Sequence, residues 1–372
     1  MEDVSRVTLC ALASLLPTGR PTPRPNNDRS LNMAITPWRA TCIQIDSKLA
    51  FPAETKEAAW AVINGNIDTA IAAIEAACDS DTPPKLVVLP EFVFQGPQRS
   101  LPASVWIERA CTTIPGAITD RLAEVAKKRG IYIAGNHFEV DPKWPDRYFN
   151  SSFLLDPAGE TILRYRRINT GSWTSPHDIL DEYREAYGEE GIFPVVDTEL
   201  GRLAIFPCGE ISVPEITRSF MLRGAEVILH PDNAPVSTLA DCAKRCRAAE
   251  NMVYLISCNL SGTAGFSDTL TGGHSMIVDY RGELIAFEES DKASNTCSAM
   301  IDIEALQVAR HDTGMANGLM RSRFEMYRGY YGAADFYPAN GLAEAPVETN
   351  EDFTSVHQKA LANMAAAGVL RD

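Results

Sequence analysis

The chain has 372 residues, 45% of them hydrophobic, enough for a substantial core in one large domain or two smaller ones. Its formal net charge of −15 argues against a nucleic-acid surface, because no basic patch stands out and phosphates would be repelled. The nine cysteines are scattered without a C-x-x-C pair, and Cys242 and Cys246 have only His230 as a nearby histidine, so reduced thiols are expected and neither a disulfide framework nor a metal site is.

Residues 1–36 are expected to form a flexible extension. The apolar stretch at 7–16 is short and follows Glu2 and Asp3, not a basic segment, which makes a poor secretory signal. A proline-rich polar run follows, with no means of packing a core. No apolar run approaches a membrane span, and a cytoplasmic location is expected.

Strands are predicted at 40–45, 85–91 and 131–140, with helices at 54–78 and 119–128. In the first helix Trp60, Ile63, Ile67, Ile71 and Ile74 recur at helical spacing and mark one apolar face. Two strands at 149–157 and 161–168 flank Asp156-Pro-Ala-Gly159, a hairpin signal. Residues 170–191 are polar and read as an irregular functional loop or lid. A strand at 203–208 precedes a helix at 214–223, a strand at 226–230, a helix at 237–252 and a strand at 253–259. A hairpin at 275–288 and a helix at 303–310 follow. Strands alternate with helices, but hairpins interrupt them, which implies an α/β domain with mixed sheets. It is expected over residues 37–320, with residues 321–372 as an irregular C-terminal arm.

Three strand ends carry chemistry. Val87-Val-Leu-Pro-Glu91 places a carboxylate at the end of a buried strand, where burial would raise its pKa and suit it to base catalysis. Tyr165-Arg-Arg167 closes the second hairpin strand and can supply a fixed cation. Gly201 to Glu215 contains an apolar run that ends at Cys208-Gly-Glu210 before a helix. A thiol there would be favoured as thiolate by the helix N-terminus and neighbouring N–H groups. A base, a cation and a thiol are what cysteine-dependent amide hydrolysis requires.

The ordered set of motifs resembles the nitrilase superfamily of carbon–nitrogen hydrolases. It consists of Val88-Leu-Pro-Glu91, Asn150-Ser-Ser, Asp156-Pro-Ala-Gly-Glu160, Gly201 with Cys208 and Pro214-Glu215, Arg247-Ala-Ala-Glu250-Asn251, and Gly273-His-Ser-Met-Ile. Arg328-Gly-Tyr-Tyr-Gly and Gly341-Leu-Ala-Glu-Ala-Pro are similar to the tail of the aliphatic amidases and formamidases. The resemblance implies a four-layer αββα sandwich and a homodimer or larger homo-oligomer, with the C-terminal arm packing on a neighbouring subunit. It implies Cys208 as nucleophile and Glu91 as base, a small-molecule substrate, and no cofactor or metal.

This chain departs from the family's Glu-Lys-Cys pattern. The lysine position after Tyr165-Arg166 is Arg167, and no lysine stands between Lys143 and Lys244. Arginine keeps the charge but not the shape. Gly209 stands where the family usually has a larger residue, and is expected to ease the turn and leave room beside the sulfur. Glu139 is a candidate support for the cation, and Asp178 or Glu182 a candidate second acid. Trp173, His177, His230 and Asn233 are candidate pocket residues. The expected activity is hydrolysis of a small carboxamide through a thioester. Nitrile and N-carbamoyl hydrolysis are the nearest alternatives, and a non-hydrolytic binding protein is the alternative of another class.

Overall fold

The computed structural model describes residues 34–98, 101–262 and 272–371. The expected N-terminal extension, apart from its last residues, lies outside them. The first half contains β1 (Trp38–Cys42), α1 (Lys56–Cys78), β2 (Leu86–Val88), α2 (Ala103–Ala110), α3 (Ala117–Arg129), β3 (Tyr132–Asp141), β4 (Trp144–Leu155), β5 (Thr161–Arg166) and α4 (Leu180–Tyr187). The second half contains β6 (Val196–Thr198), β7 (Gly201–Ile205), α5 (Pro214–Leu222), β8 (Val227–Pro231), α6 (Thr238–Asn251), β9 (Tyr254–Cys258), β10 (Ser275–Val278), β11 (Leu284–Glu288), β12 (Ser298–Ile301), α7 (Ile303–His311), α8 (Phe324–Gly332) and α9 (Thr354–Ala366).

The strands form two six-stranded sheets, ordered β12-β1-β2-β3-β4-β5 and β11-β10-β9-β8-β7-β6. Each has a parallel centre, β1-β2-β3 or β7-β8-β9, continued by antiparallel strands. The central strands are buried on both faces, so they read as continuous apolar runs. In β2 the period of two sends Leu86 and Val88 into the core between the sheets, while Val87 meets the outer helices. Helices α1, α2 and α3 cover the first sheet, and Phe220 of α5 and Ala248 of α6 pack against the second. The result is the expected αββα layering.

Local signals explain most elements. Thr55 caps α1 through its hydroxyl, and Gly130 closes α3 in the left-handed conformation. Gly159, at φ 78°, closes the β4–β5 turn, where Asp156 accepts the N–H groups of Ala158 and Glu160 at 2.9 and 2.8 Å. The buried stripe of α1 runs through Ala59, Ile63, Asn66, Ile67, Ala70, Ile74 and Ala77, leaving Trp60 and Ile71 only partly covered.

Two expectations are corrected. Residues 176–191 are not an irregular lid: α4 lies between short 3-10 turns, started by Ser175 and Asp178 capping each other and held by Tyr183 stacked on Trp144 at 6.0 Å. The C-terminal segment is not irregular either, since it carries α8 and α9. Part of it packs on its own chain, with the N–H groups of Asn340 and Leu342 donating to His177 O and Asp178 O at 2.9 and 3.2 Å. No helix among the described residues is long and apolar enough to cross a membrane.

Candidate active site

Glu91 follows β2 and is fully buried. Phe92 after it takes a left-handed φ of 58°, with its N–H held by Asn136 Oδ1 at 3.2 Å. Asn136 in turn donates to Asn150 Oδ1 at 2.6 Å and Ser152 Oγ at 3.0 Å. Asn150 Nδ2 donates to Glu91 Oε1 at 2.7 Å, and Arg167 Nη1 reaches the same oxygen at 3.3 Å. Oε2 is buried, and neither Asn150 nor Arg167 donates to it. Burial pushes the carboxyl up to about 7, against the pull of Arg167, Asn150 and the Cys208 thiol. Strongly buried carboxylates near pH 7 are matched to base catalysis.

Cys208 comes from the second sheet. β7 ends at Ile205, earlier than predicted, because Pro207 cannot donate to the ladder; Cys208 then starts a 3-10 turn over Cys208–Ser212. The left-handed strain falls on Cys208 itself, at φ 45°, and not on Gly209. His230 Nε2 donates to Cys208 O at 3.0 Å, which fixes the tautomer so that Nδ1 accepts from Ser257 Oγ at 2.8 Å. Burial pushes His230 down to about 4, so it is neutral near pH 7. The thiol is not favoured as thiolate, contrary to expectation. Burial and the charges of Glu91 and Asp232 push it well above the ordinary cysteine range, with Arg167 and the Asn233 N–H opposing. One 3-10 turn does not outweigh burial and two neighbouring carboxylates, so this sulfur ionises only with the help of a base.

Arg167 lies just past β5. Besides Glu91, its Nε donates to Asn169 O at 3.0 Å and its guanidinium sits over the Trp173 ring at 5.6 Å. Gly209 makes room for it: a Cβ on Gly209 would lie 2.9 Å from Arg167 Nη2. Gly209 and Arg167 therefore explain each other, since the guanidinium fills the volume beside Cys208 that a side chain on residue 209 would take. Gly209→Ala should lower kcat/KM about tenfold by displacing the guanidinium, and Arg167→Lys about 100-fold by losing the fork. Because both act on one contact, the double variant should lose less than the product of the two; ammonia-release kinetics check this.

The remaining candidates separate. Trp173, His230 and Asn233 belong to the cluster, through the contacts given above. Glu139 does not support Arg167. It accepts from Arg166 Nε and Nη2 at 2.9 and 2.6 Å and from Arg164 Nη1 at 3.0 Å, because the two-residue period of β5 puts Arg164 and Arg166 on the sheet face that carries Glu139. Arg166 is buried, so Glu139→Ala should cost about 3 kcal/mol by leaving a cation under-paired, read by urea denaturation. Asp178 accepts the N–H and hydroxyl of Ser175 at 2.9 and 2.8 Å, a helix-start contact. Glu182 accepts from Trp144 Nε1 at 2.7 Å, and His177 lies 5.7 Å from the Tyr337 ring. None of these three contacts reaches Cys208, Glu91 or Arg167. Sequence reasoning missed Glu210 as a brace. Its carboxylate takes the N–H groups of Ile168 and Asn169 at 2.9 and 2.8 Å and the Tyr165 hydroxyl at 2.8 Å, tying the end of β5 to the Cys208 turn. Its place in Cys208-Gly-Glu210 was the available signal.

Comparison with known proteins identifies the family and the fold. The family model described as carbon-nitrogen hydrolase matches residues 39–311. Omega-amidase NIT3 of Saccharomyces cerevisiae is 26% identical over 266 residues, covering 70% of this chain and 89% of the relative. A formamidase of Bacillus thuringiensis is 31% identical over 185 residues, or 49% of this chain and 52% of the relative, so the match spans about half of that protein. Among solved structures, Saccharomyces cerevisiae Nit3, a member of branch 10 of the nitrilase superfamily, superposes with TM-score 0.58 at 21% identity over 76% of this chain and 96% of the other. A mutant amidase from Nesterenkonia sp. AN1, showing covalent addition of the acetamide moiety of fluoroacetamide at its active-site cysteine, does so with TM-score 0.57 at 18% identity over 81% and 98%. The chain belongs to the carbon–nitrogen hydrolase family and has the fold of the nitrilase superfamily.

Proposed function

We propose that this protein hydrolyses a small carboxamide, with Cys208 as nucleophile, Glu91 as general base and Arg167 as the cation beside the developing oxyanion. The observation that carries the reading is the buried cluster in which Arg167 reaches the carboxylate of Glu91 at 3.3 Å while the thiol of Cys208 acts on both. Glu91 takes the Sγ proton as sulfur attacks the carbonyl carbon, and the oxyanion is balanced by Arg167. Collapse breaks the carbon–nitrogen bond, and Glu91 returns its proton to the departing amine. The thioester is then attacked by water, which gives its proton to Glu91, and the acid leaves as the thiol re-forms. The activities for which the relatives are named, omega-amidase and formamidase, and the cysteine adduct of the Nesterenkonia amidase support amide chemistry at a thiol.

The test is ammonia release from panels of small amides, nitriles and N-carbamoyl compounds, paired with intact-mass detection of an acyl adduct on Cys208. Ammonia from amides with an acyl adduct is the expected result. Turnover confined to nitriles or carbamoyl compounds would move the substrate class. No turnover and no adduct would make the protein a binding protein.

A further inference from the structure

Behind the nucleophile lies a second buried ion pair. Asp232 follows β8 and Lys244 lies on α6; Lys244 Nζ is 2.7 Å from Asp232 Oδ2, and both side chains are 2% exposed. Asp232 is built into the cluster through its backbone as well: its carbonyl accepts the N–H of Glu91 at 3.1 Å, and its own N–H donates to Cys258 O at 2.8 Å. Its Oδ1 accepts the N–H of Asn233 at 3.0 Å. The Cys208 side chain lies against its carboxylate. α6 is fastened to the nucleophile turn, since Arg247 Nε donates to Ile211 O at 3.1 Å.

We propose that Asp232 and Lys244 are positioning residues of the active site: a buried pair that holds the Cys208 turn and Glu91 in register and sets the charge that the thiol and the base feel. A buried pair is seldom worth more than well-packed apolar residues of the same volume, so stability alone gives no reason to place one against a nucleophile. Asp232 by itself would oppose ionisation of both Cys208 and Glu91, and Lys244 cancels that charge. Burial acts against the Asp232 carboxylate, but the Lys244 ammonium beside it holds it below the usual range, so it stays ionised. The other groups facing the thiol and the base are Arg167 after β5, neutral His230 on β8, and Glu210 in the Cys208 turn with Tyr165 bonded to it.

The proposal takes its meaning for catalysis from the hydrolase reading, so the test uses a readout that does not need turnover. That readout is the rate of Cys208 alkylation by iodoacetamide against pH, followed by peptide mass spectrometry. Lys244→Met leaves Asp232 uncompensated, so the thiol should titrate at higher pH and alkylation at pH 8 should slow about tenfold. Asp232→Asn removes the opposing charge and should speed it by a similar factor. The double variant, Asp232→Asn with Lys244→Met, should bring the midpoint back towards wild type. If Lys244→Met does not fold, the shift of Asp232→Asn and its reversal in the double variant carry the test. Shifts in the same direction, or rates within about twofold of wild type in both foldable variants, would overturn the pair's role. Absence of ammonia release from wild type would sink the hydrolase reading and leave these alkylation results to judge the pair.

Discussion

Cys208→Ala is expected to abolish ammonia release, lowering kcat by about 10⁴-fold or more, while the protein stays folded. The sulfur is the atom that would carry the acyl group, and the described residues offer no second thiol in the Glu91–Arg167 cluster. The cost to the fold is small because the contacts that hold the turn are made by backbone, His230 Nε2 to Cys208 O at 3.0 Å among them. Alanine at the left-handed φ of 45° carries the same strain as cysteine. The check is a steady-state ammonia assay with a thermal melt and intact mass of protein incubated with substrate. An acyl adduct on the alanine variant would place the nucleophile elsewhere.

Glu91→Gln is expected to lower kcat/KM by about 10²- to 10⁴-fold, the usual worth of a positioned general base. Glutamine preserves the volume and can still accept from Asn150 and Arg167 through its amide oxygen, so the loss reports proton transfer and not packing. The same group predicts the pH profile. Burial raises Glu91 to about 7, and in the proposed mechanism the ionised carboxylate is the form that accepts the thiol proton. Activity of the wild type should therefore fall as pH drops through about 7, about tenfold per unit below the limb, in kcat/KM measured across pH 5–9. A wild-type acid limb near 4.5 would mean that Arg167 outweighs burial at this site.

Much of the scaffold was legible because its signals are local. β2 and β8 announce themselves as apolar runs between turns, and the β4–β5 hairpin is written in Asp156-Pro-Ala-Gly159. The failures share a cause. α4 is short, and of its residues only Tyr183 is buried; its stability comes from Trp144, distant in sequence, and from a cap that is readable only once the helix is known. The tail helices fail for a related reason: α8 buries none of its residues and α9 only Val356, so neither shows a strong apolar stripe. At the site, Glu139 was assigned to the wrong arginine because three arginines lie in or just past β5, and only side-chain direction decides that Arg164 and Arg166, not Arg167, share its sheet face.

By itself the sequence determined the order of the longer elements, a mixed-sheet α/β class, through the ordered motifs the αββα layering, and the residue types at the three strand ends, Glu91, Arg167 and Cys208. These follow from periodicity, turn chemistry and the ordered motifs, all properties of neighbours along the chain. Only the tertiary structure decided that Gly209 and Arg167 share one volume, that Glu91 is buried enough to titrate near 7, that the thiol rests protonated, and that Asp232 and Lys244 stand behind it. Those depend on through-space distance and loss of water, which are set when the ends of strands from two sheets are brought together and are not written at any single position.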